Sequence, residues 1–257
     1  MLSYQELNPQ STVALLPIGC MEQHGPVLPL ETDSLIATHA CQKLQQTLKF
    51  PTYVYPRINY TTTTPNAGYA GTVSVSYDIF RNYLKQVLEG LLSSGFRAVA
   101  IINAHGSVVS AIKEVAFSVV HQQFERQSQP LRPVICHNIF DCDDQVEALL
   151  GKVPGRHAEW KEFLLVHGIV GEDYFTPERL ERLHAFAAEN SFSNDFPPVL
   201  GIPMEYRSVC GVVGEPLPPS KDYAGQAEAL WNLSIDFLTQ AISRSLEDFE
   251  TRFSEKE

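Results

Sequence analysis

The chain has 257 residues, with 19 Lys and Arg against 30 Asp and Glu, a formal charge of -11 and 44% hydrophobic residues. This globular balance excludes a disordered segment and a small disulfide scaffold, and the length suffices for one large domain or two small ones. An acidic surface without a run of Lys or Arg repels phosphate backbones and anionic headgroups, so neither nucleic acid nor membrane is an expected partner.

The elements are read in chain order. Residues 12–18 form a continuously apolar strand. As an apolar run, 13–19 is too short to span a bilayer and has no basic segment before it, so a cytoplasmic location is expected. Residues 33–48 carry apolar positions three to four apart and read as a helix, with Asp33 as its N-cap. A second strand is expected at 52–58, then a Pro- and Gly-bearing loop at 61–71. Residues 77–94 read as an amphipathic helix ending at Gly95, 96–103 as a strand, 108–124 as a helix and 133–138 as a strand. Thr176 and Pro177 open a helix over 176–189, a loop follows at 213–220, and 223–246 is helical.

Strand-length apolar runs alternating with helical stretches are the pattern of a parallel sheet covered on both faces. With no linker or repeat in view, residues 1–257 read as a single α/β domain. Five cysteines, Cys20, Cys41, Cys136, Cys142 and Cys210, are odd in number and lack C-x-x-C spacing, so they read as reduced, mostly buried side chains. Cys20 stands apart because it lies two residues before the richest polar cluster, where a nucleophilic role is the alternative to packing.

Ligands of open α/β sheets bind beyond the carboxyl ends of the strands, so the polar residues there matter most. After the first strand come Glu22, His24 and Asp33, and after residues 96–103 comes His105. Glu22 and His24, two apart in an extended segment, point to the same side. Asp33 returns at the head of the next helix. Together they make a mixed imidazole and carboxylate set that suits zinc or manganese, in which a carboxylate can bridge two ions. Taken singly, each also reads as a cap, a turn histidine or a solvated acid; four of them beside buried strand ends must meet each other or find separate partners. A third cluster, Gly155 to Glu162, adds His157, Glu159 and Glu162. His157 and Glu162 are five apart, about 140° around a regular helix, and spacing alone does not choose Glu162 over Glu159. The nucleophile-elbow, dinucleotide and P-loop motifs are absent from the sequence.

At these residues the chain resembles the creatininase (creatinine amidohydrolase) family. Leu16-Pro17-Ile18-Gly19-Cys20-Met21-Glu22-Gln23-His24-Gly25-Pro26, with Leu28-Pro29-Leu30 and Thr32-Asp33, resembles the signature P-x-G-x-x-E-Q-H-G-P-H-L-P-x-x-T-D. Asn103-Ala104-His105-Gly106 is similar to N-G-H-G-G-N, Gly71-Thr72 with Ser74 to G-T-x-S, His157-Ala158 with Glu162 to H-A-G-x-x-E-T-S, and Gly211 to Pro216 to a late G-x-x-G-D-P turn.

The resemblance implies a layered αβα fold with a mostly parallel central sheet, a homo-oligomer (often a hexamer) and two divalent ions per subunit, zinc or manganese. It implies that Glu22 and His105 bind one ion, that His24 and Glu162 bind the other, that Asp33 bridges them and that His157 transfers protons. The activity implied is metal-dependent hydrolysis of a C–N bond in a small or cyclic amide. Formamide hydrolysis, peptide trimming and a non-catalytic ligand-binding role are the alternatives. The chain departs from the family pattern at Val27, Ser107, Val108, Glu159 and Phe163. None is an implied ligand, so these departures bear on the substrate, creatinine included, rather than on the metals.

Overall fold

The computed structural model describes residues 6–126, 130–189, 211–215, 218–220 and 222–254. Cys210 and Pro216 lie outside them. In chain order the elements are β1 (Val13–Ile18), α1 (Thr32–Thr47), β2 (Thr52–Val54), α2 (Tyr77–Ser93), β3 (Ala98–Asn103), α3 (Val109–Glu125), β4 (Val134–Asn138), α4 (Asp143–Leu150), α5 (Trp160–Tyr174), α6 (Pro177–Glu189) and α7 (Tyr223–Ser254).

The strands form one sheet in the order β2-β1-β3-β4, every pair parallel. β1 and β3 are buried along their whole length, which is why their sequences are apolar without alternation. Their side chains nevertheless alternate in destination. Val13, Leu15, Ala98, Ala100 and Ile102 pack in one cluster with residues of α1, α5 and α7. Ala14, Leu16, Ile18, Val99 and Ile101 pack in a second cluster with α2 and α3. The result is a three-layer αβα arrangement.

β2 is shorter than the sequence predicts. Its regular ladder stops at Val54, before Pro56, which has no amide hydrogen to donate. The chain stays alongside β1, because Ile58 N donates to Pro17 O and Gly19 N to Ile58 O, each at 3.0 Å. Helices α4 and α5 have no counterpart among the expected elements, and α7 runs about two turns beyond its expected end at 246, to Ser254. No helix among the described residues is long and apolar enough to cross a membrane.

The strand order matters for function. The chain leaves β1 through α1 towards β2, then crosses back through α2 to β3 on the other side of β1. The crevice between the carboxyl ends of β1 and β3 is therefore the topological switch point, where open α/β sheets bind ligands.

Candidate metal centre

Two loops meet at that crevice. The first leaves β1 at Gly19, which lies so close to α1 that an added Cβ would fall 2.4 Å from Ser34 N and Cα. Ser34 Oγ donates to Cys20 O at 3.1 Å and Glu22 N to Leu30 O at 2.9 Å, seating the loop on the start of α1. Asp33 is not the N-cap the sequence predicts: Glu31 holds that position, without a side-chain cap bond. Asp33 lies inside the first turn and turns its carboxylate into the crevice, where the helix dipole favours negative charge.

The carboxylates and imidazoles interlock. Glu22, 1% exposed, accepts hydrogen bonds on Oε1 from Thr63 Oγ1 and Asn66 Nδ2. Its Oε2 lies 3.3 Å from His105 Nδ1. Asp33 Oδ2 is 2.8 Å from the same nitrogen and Oδ1 is 3.1 Å from His24 Nε2. Glu162 Oε2 is 3.8 Å from His24 Nε2 and accepts from Ala158 N at 2.6 Å. Glu22 Oε2 and Asp33 Oδ2 are buried, and both face His105 Nδ1.

The outer ring nitrogens fix both imidazoles. His24 Nδ1 donates to Glu22 O at 3.0 Å and His105 Nε2 donates to Thr62 O at 3.1 Å, since a carbonyl can only accept. The inner nitrogens therefore face carboxylates, and each must carry a proton or share a cation with them. Without a cation they hold protons. Burial opposes charge on His24, but Asp33 and Glu162 overcome it and push its pKa up to about 10. His105 is likewise raised, against burial, by Glu22 and Asp33. Asp33 is lowered in spite of its burial by the two histidines.

His157 does not lie on a helix with Glu162, which removes the 140° objection. It precedes α5 and is bridged in extended form to Val213, with His157 N donating to Val213 O at 3.0 Å. Ala158 then adopts φ 55°, the one non-glycine residue at positive φ among those described, and this turn brings His157 and Glu162 to one cavity. His157 Nδ1 is 3.9 Å from Glu22 Oε2. Its Nε2 is 2.9 Å from the Gln23 carbonyl oxygen and 3.1 Å from the Gln23 side-chain nitrogen, an acceptor and a donor for a single ring nitrogen.

Glu22, Asp33, His105, His157 and Glu162 line a cavity of about 470 Å³ that also takes in Asn66, Ser107, Phe140 and Lys161, whereas His24 borders a small cleft beside it. Lys161 is buried and paired with Asp143. Glu159, 2% exposed, caps α5 by accepting from Lys161 N at 3.0 Å. Burial, with Glu162 nearby, raises its pKa to about 7. Of the five departures from the family pattern, Ser107 and Glu159 line this cavity. Val27 and Phe163 flank a small cleft beside His24. Val108 packs in the hydrophobic cluster under α2 and α3, so it does not shape the cavity wall as its sequence position implied. The clamps Thr63 and Asn66 were missed by sequence reasoning; their only signal was membership of the long loop at 61–71.

The family model for creatininase, described as creatinine amidohydrolase, matches residues 2–242. The chain belongs to the creatininase family. Among curated members it is 33% identical over 98 residues to the 3-dehydro-scyllo-inosose hydrolase of Thermotoga maritima, covering 38% of this chain and 31% of that protein. It is 29% identical over 113 residues to the mycofactocin precursor peptide peptidase of Mycolicibacterium smegmatis, covering 42% of this chain and 45% of that one. These matches thus span less than half of the length of either relative. A creatininase structure with manganese superposes at a TM-score of 0.76 and 19% identity, over 92% of this chain and 91% of the other, and shares the αβα fold. Creatininase membership makes this an amidohydrolase-family protein, and its donor clusters are of metal-binding type, with Glu22, His24 and His157, and His24, Asp33 and Glu162, each bringing ligand atoms within 4.8 Å of one another.

Proposed function

We propose that the protein is a dinuclear metal-dependent amidohydrolase that cleaves a C–N bond of a small or cyclic amide. In this reading Glu22 and His105 hold one divalent cation, His24 and Glu162 the other, and Asp33 lies between them as the shared ligand. The observation that carries it is the placement of Asp33 between two imidazoles, its Oδ1 3.1 Å from His24 Nε2 and its buried Oδ2 2.8 Å from His105 Nδ1. A buried carboxylate oxygen costs free energy unless a cation or proton meets it. Imidazole with carboxylate is a donor set for zinc or manganese. When bound, the cations supply Lewis-acid polarisation of a carbonyl and lower the pKa of water.

The chain's own groups do the rest. Thr63 and Asn66 hold Glu22 in one rotamer, and the Glu22 and Thr62 carbonyls fix the ring planes of His24 and His105. Hydrolysis adds a hydroxyl to the carbonyl carbon and a proton to the departing nitrogen as the C–N bond breaks. His157 delivers that proton in this reading. Its Nε2 faces both a donor and an acceptor of Gln23, so the ring is satisfied with or without a proton at that atom. A cavity of about 470 Å³ suits a small amide. Assembly into a homo-oligomer and action as one domain belong to the same reading.

The test combines metal analysis with turnover of lactams, formamides and short peptides in the presence of zinc or manganese. Two ions per chain and an amide hydrolysis abolished by Asp33→Ala are expected. A protein that retains no stoichiometric ion, with Asp33→Ala behaving like the parent, ends the proposal.

A further inference from the structure

We propose that Cys20 supplies a thiolate ligand to the cation held by Glu22 and His105, making that position selective for a soft, thiophilic metal such as zinc over manganese. The inference rests on the two-metal reading above. Cys20 is fully buried, and its Sγ, a Glu22 carboxylate oxygen and a His105 ring nitrogen all lie within 4.8 Å of one another. Two donors bound to one tetrahedral zinc at about 2.0 to 2.3 Å sit about 3.3 to 3.8 Å apart, so donors already within 4.8 Å need close by only about an ångström to share a coordination sphere. A second observation points to the same ion: Glu22 Oε2 is buried away from the donors that hold Oε1 and faces His105 Nδ1 at 3.3 Å, and both residues belong to the Cys20 group.

The backbone holds the thiol in place. Gly19 O accepts from Thr61 Oγ1 at 2.9 Å and Cys20 O accepts from Ser34 Oγ at 3.1 Å, so the carbonyls on both sides of the Cys20 nitrogen and Cα are tied to rigid parts of the fold. The other described cysteines sit differently. Cys41 packs in the core with Ala37 and Ala40, Cys142 Sγ donates to Ile139 O, and Cys136 borders the α2 and α3 cluster. Among the described residues, Cys20 is the cysteine that shares a group with imidazole and carboxylate donors.

The chemistry follows from donor type. Thiolate is a soft ligand that selects zinc, whereas imidazole and carboxylate alone also suit manganese. Binding displaces the thiol proton to solvent and forms one metal–sulfur bond, with no redox change. The His24, Asp33 and Glu162 group contains no sulfur, so selectivity for the thiophilic ion is confined to the Cys20 side.

The experiment loads the full chain with cobalt(II), which occupies zinc sites and reports sulfur ligation by an intense near-ultraviolet charge-transfer band. The band is expected in the parent protein and is lost in Cys20→Ser, while cobalt still binds. Zinc affinity of Cys20→Ser is expected to fall at least tenfold at one site, with manganese uptake unchanged. X-ray absorption of the zinc-loaded parent, which needs no variant, is expected to show one sulfur scatterer at about 2.3 Å. Stoichiometric metal with only nitrogen and oxygen neighbours overturns the Cys20 assignment and leaves the two-metal reading standing. Failure to bind any cobalt or zinc overturns both.

Discussion

Asp33 Oδ2 lies 2.8 Å from His105 Nδ1, joining the first turn of α1 to the carboxyl end of β3 across the switch point of the sheet. The other oxygen of the same carboxylate reaches His24 Nε2 at 3.1 Å. One side chain thus ties together the loop after β1, the head of α1 and the segment that follows β3.

Asp33→Asn is expected to reduce bound divalent ions below one per chain and to lower turnover by at least 100-fold. In the metal-free protein it also takes from two buried imidazoles the carboxylate they share. Breaking a buried pair in this way costs about 3 to 5 kcal/mol. Metal analysis and denaturant unfolding of the chelated variant read the two effects separately, and full metal occupancy in Asp33→Asn contradicts the bridging role.

The metal-free protein is expected to lose stability as pH rises. His24 has its pKa raised from 6.5 to about 10, so its contribution is fully present below pH 6.5 and disappears as pH climbs through about 10. Asp33 is shifted down from 3.8, so its contribution is present above that value and is lost as pH falls through its lower folded pKa. One group titrating between its two values changes stability by about 1.4 kcal/mol per pH unit, roughly 3 to 5 °C in Tm for a chain of this size. Thermal melts of chelated protein from pH 6.5 to 10 should fall accordingly, whereas bound metal, which replaces those protons, flattens the profile. A flat profile in the chelated protein speaks against protonated imidazoles at the site.

Asn66→Ala removes one of the two donors that hold Glu22 Oε1. Outer partners of ligands typically carry 10- to 100-fold in metal affinity. Competition with a fluorescent chelator measures it, and an unchanged affinity would show that Thr63 alone suffices.

His157→Gln keeps a polar side chain of similar reach and removes proton transfer. A fall of roughly 10² to 10⁴ in kcat, with metal content and KM little changed, is expected. A fall confined to KM instead assigns His157 to substrate binding.

Gly19→Ala forces a Cβ to within 2.4 Å of the α1 backbone at Ser34. Backbone cannot yield as a flexible side chain can, so a loss of about 1 to 3 kcal/mol is expected. Because Asp33 adjoins Ser34, metal affinity should fall with it. Chemical unfolding beside metal titration checks both, and a variant as stable as the parent rules out the close packing.

Much of the fold could be read from residue order. The continuously apolar runs of β1 and β3 declare buried parallel strands, and the spacing of Ile79, Phe80, Leu84, Val87, Leu88 and Leu91 declares a helix. Glu22, His24, Asp33 and His105 were legible as a group because strand ends deliver side chains to one edge of a sheet whatever the loops do. Spacing alone left Glu162 against Glu159 undecided, and resemblance to a family motif supplied the choice.

What the sequence determined by itself was the layered α/β class, the edge of the sheet that carries the chemistry and the donor types available there. Tertiary structure decided the rest. It made Glu159 a helix cap and turned Glu162 towards His24, through the positive φ of Ala158. It took Val108 into the core, and it placed Thr63 and Asn66 over Glu22. The physical reason is that periodicity reports which face of an element is buried, a local property. Which polar groups satisfy each other inside the crevice depends on the crossing of β1, α1 and β3 and on loops whose paths are fixed only by long-range hydrogen bonds.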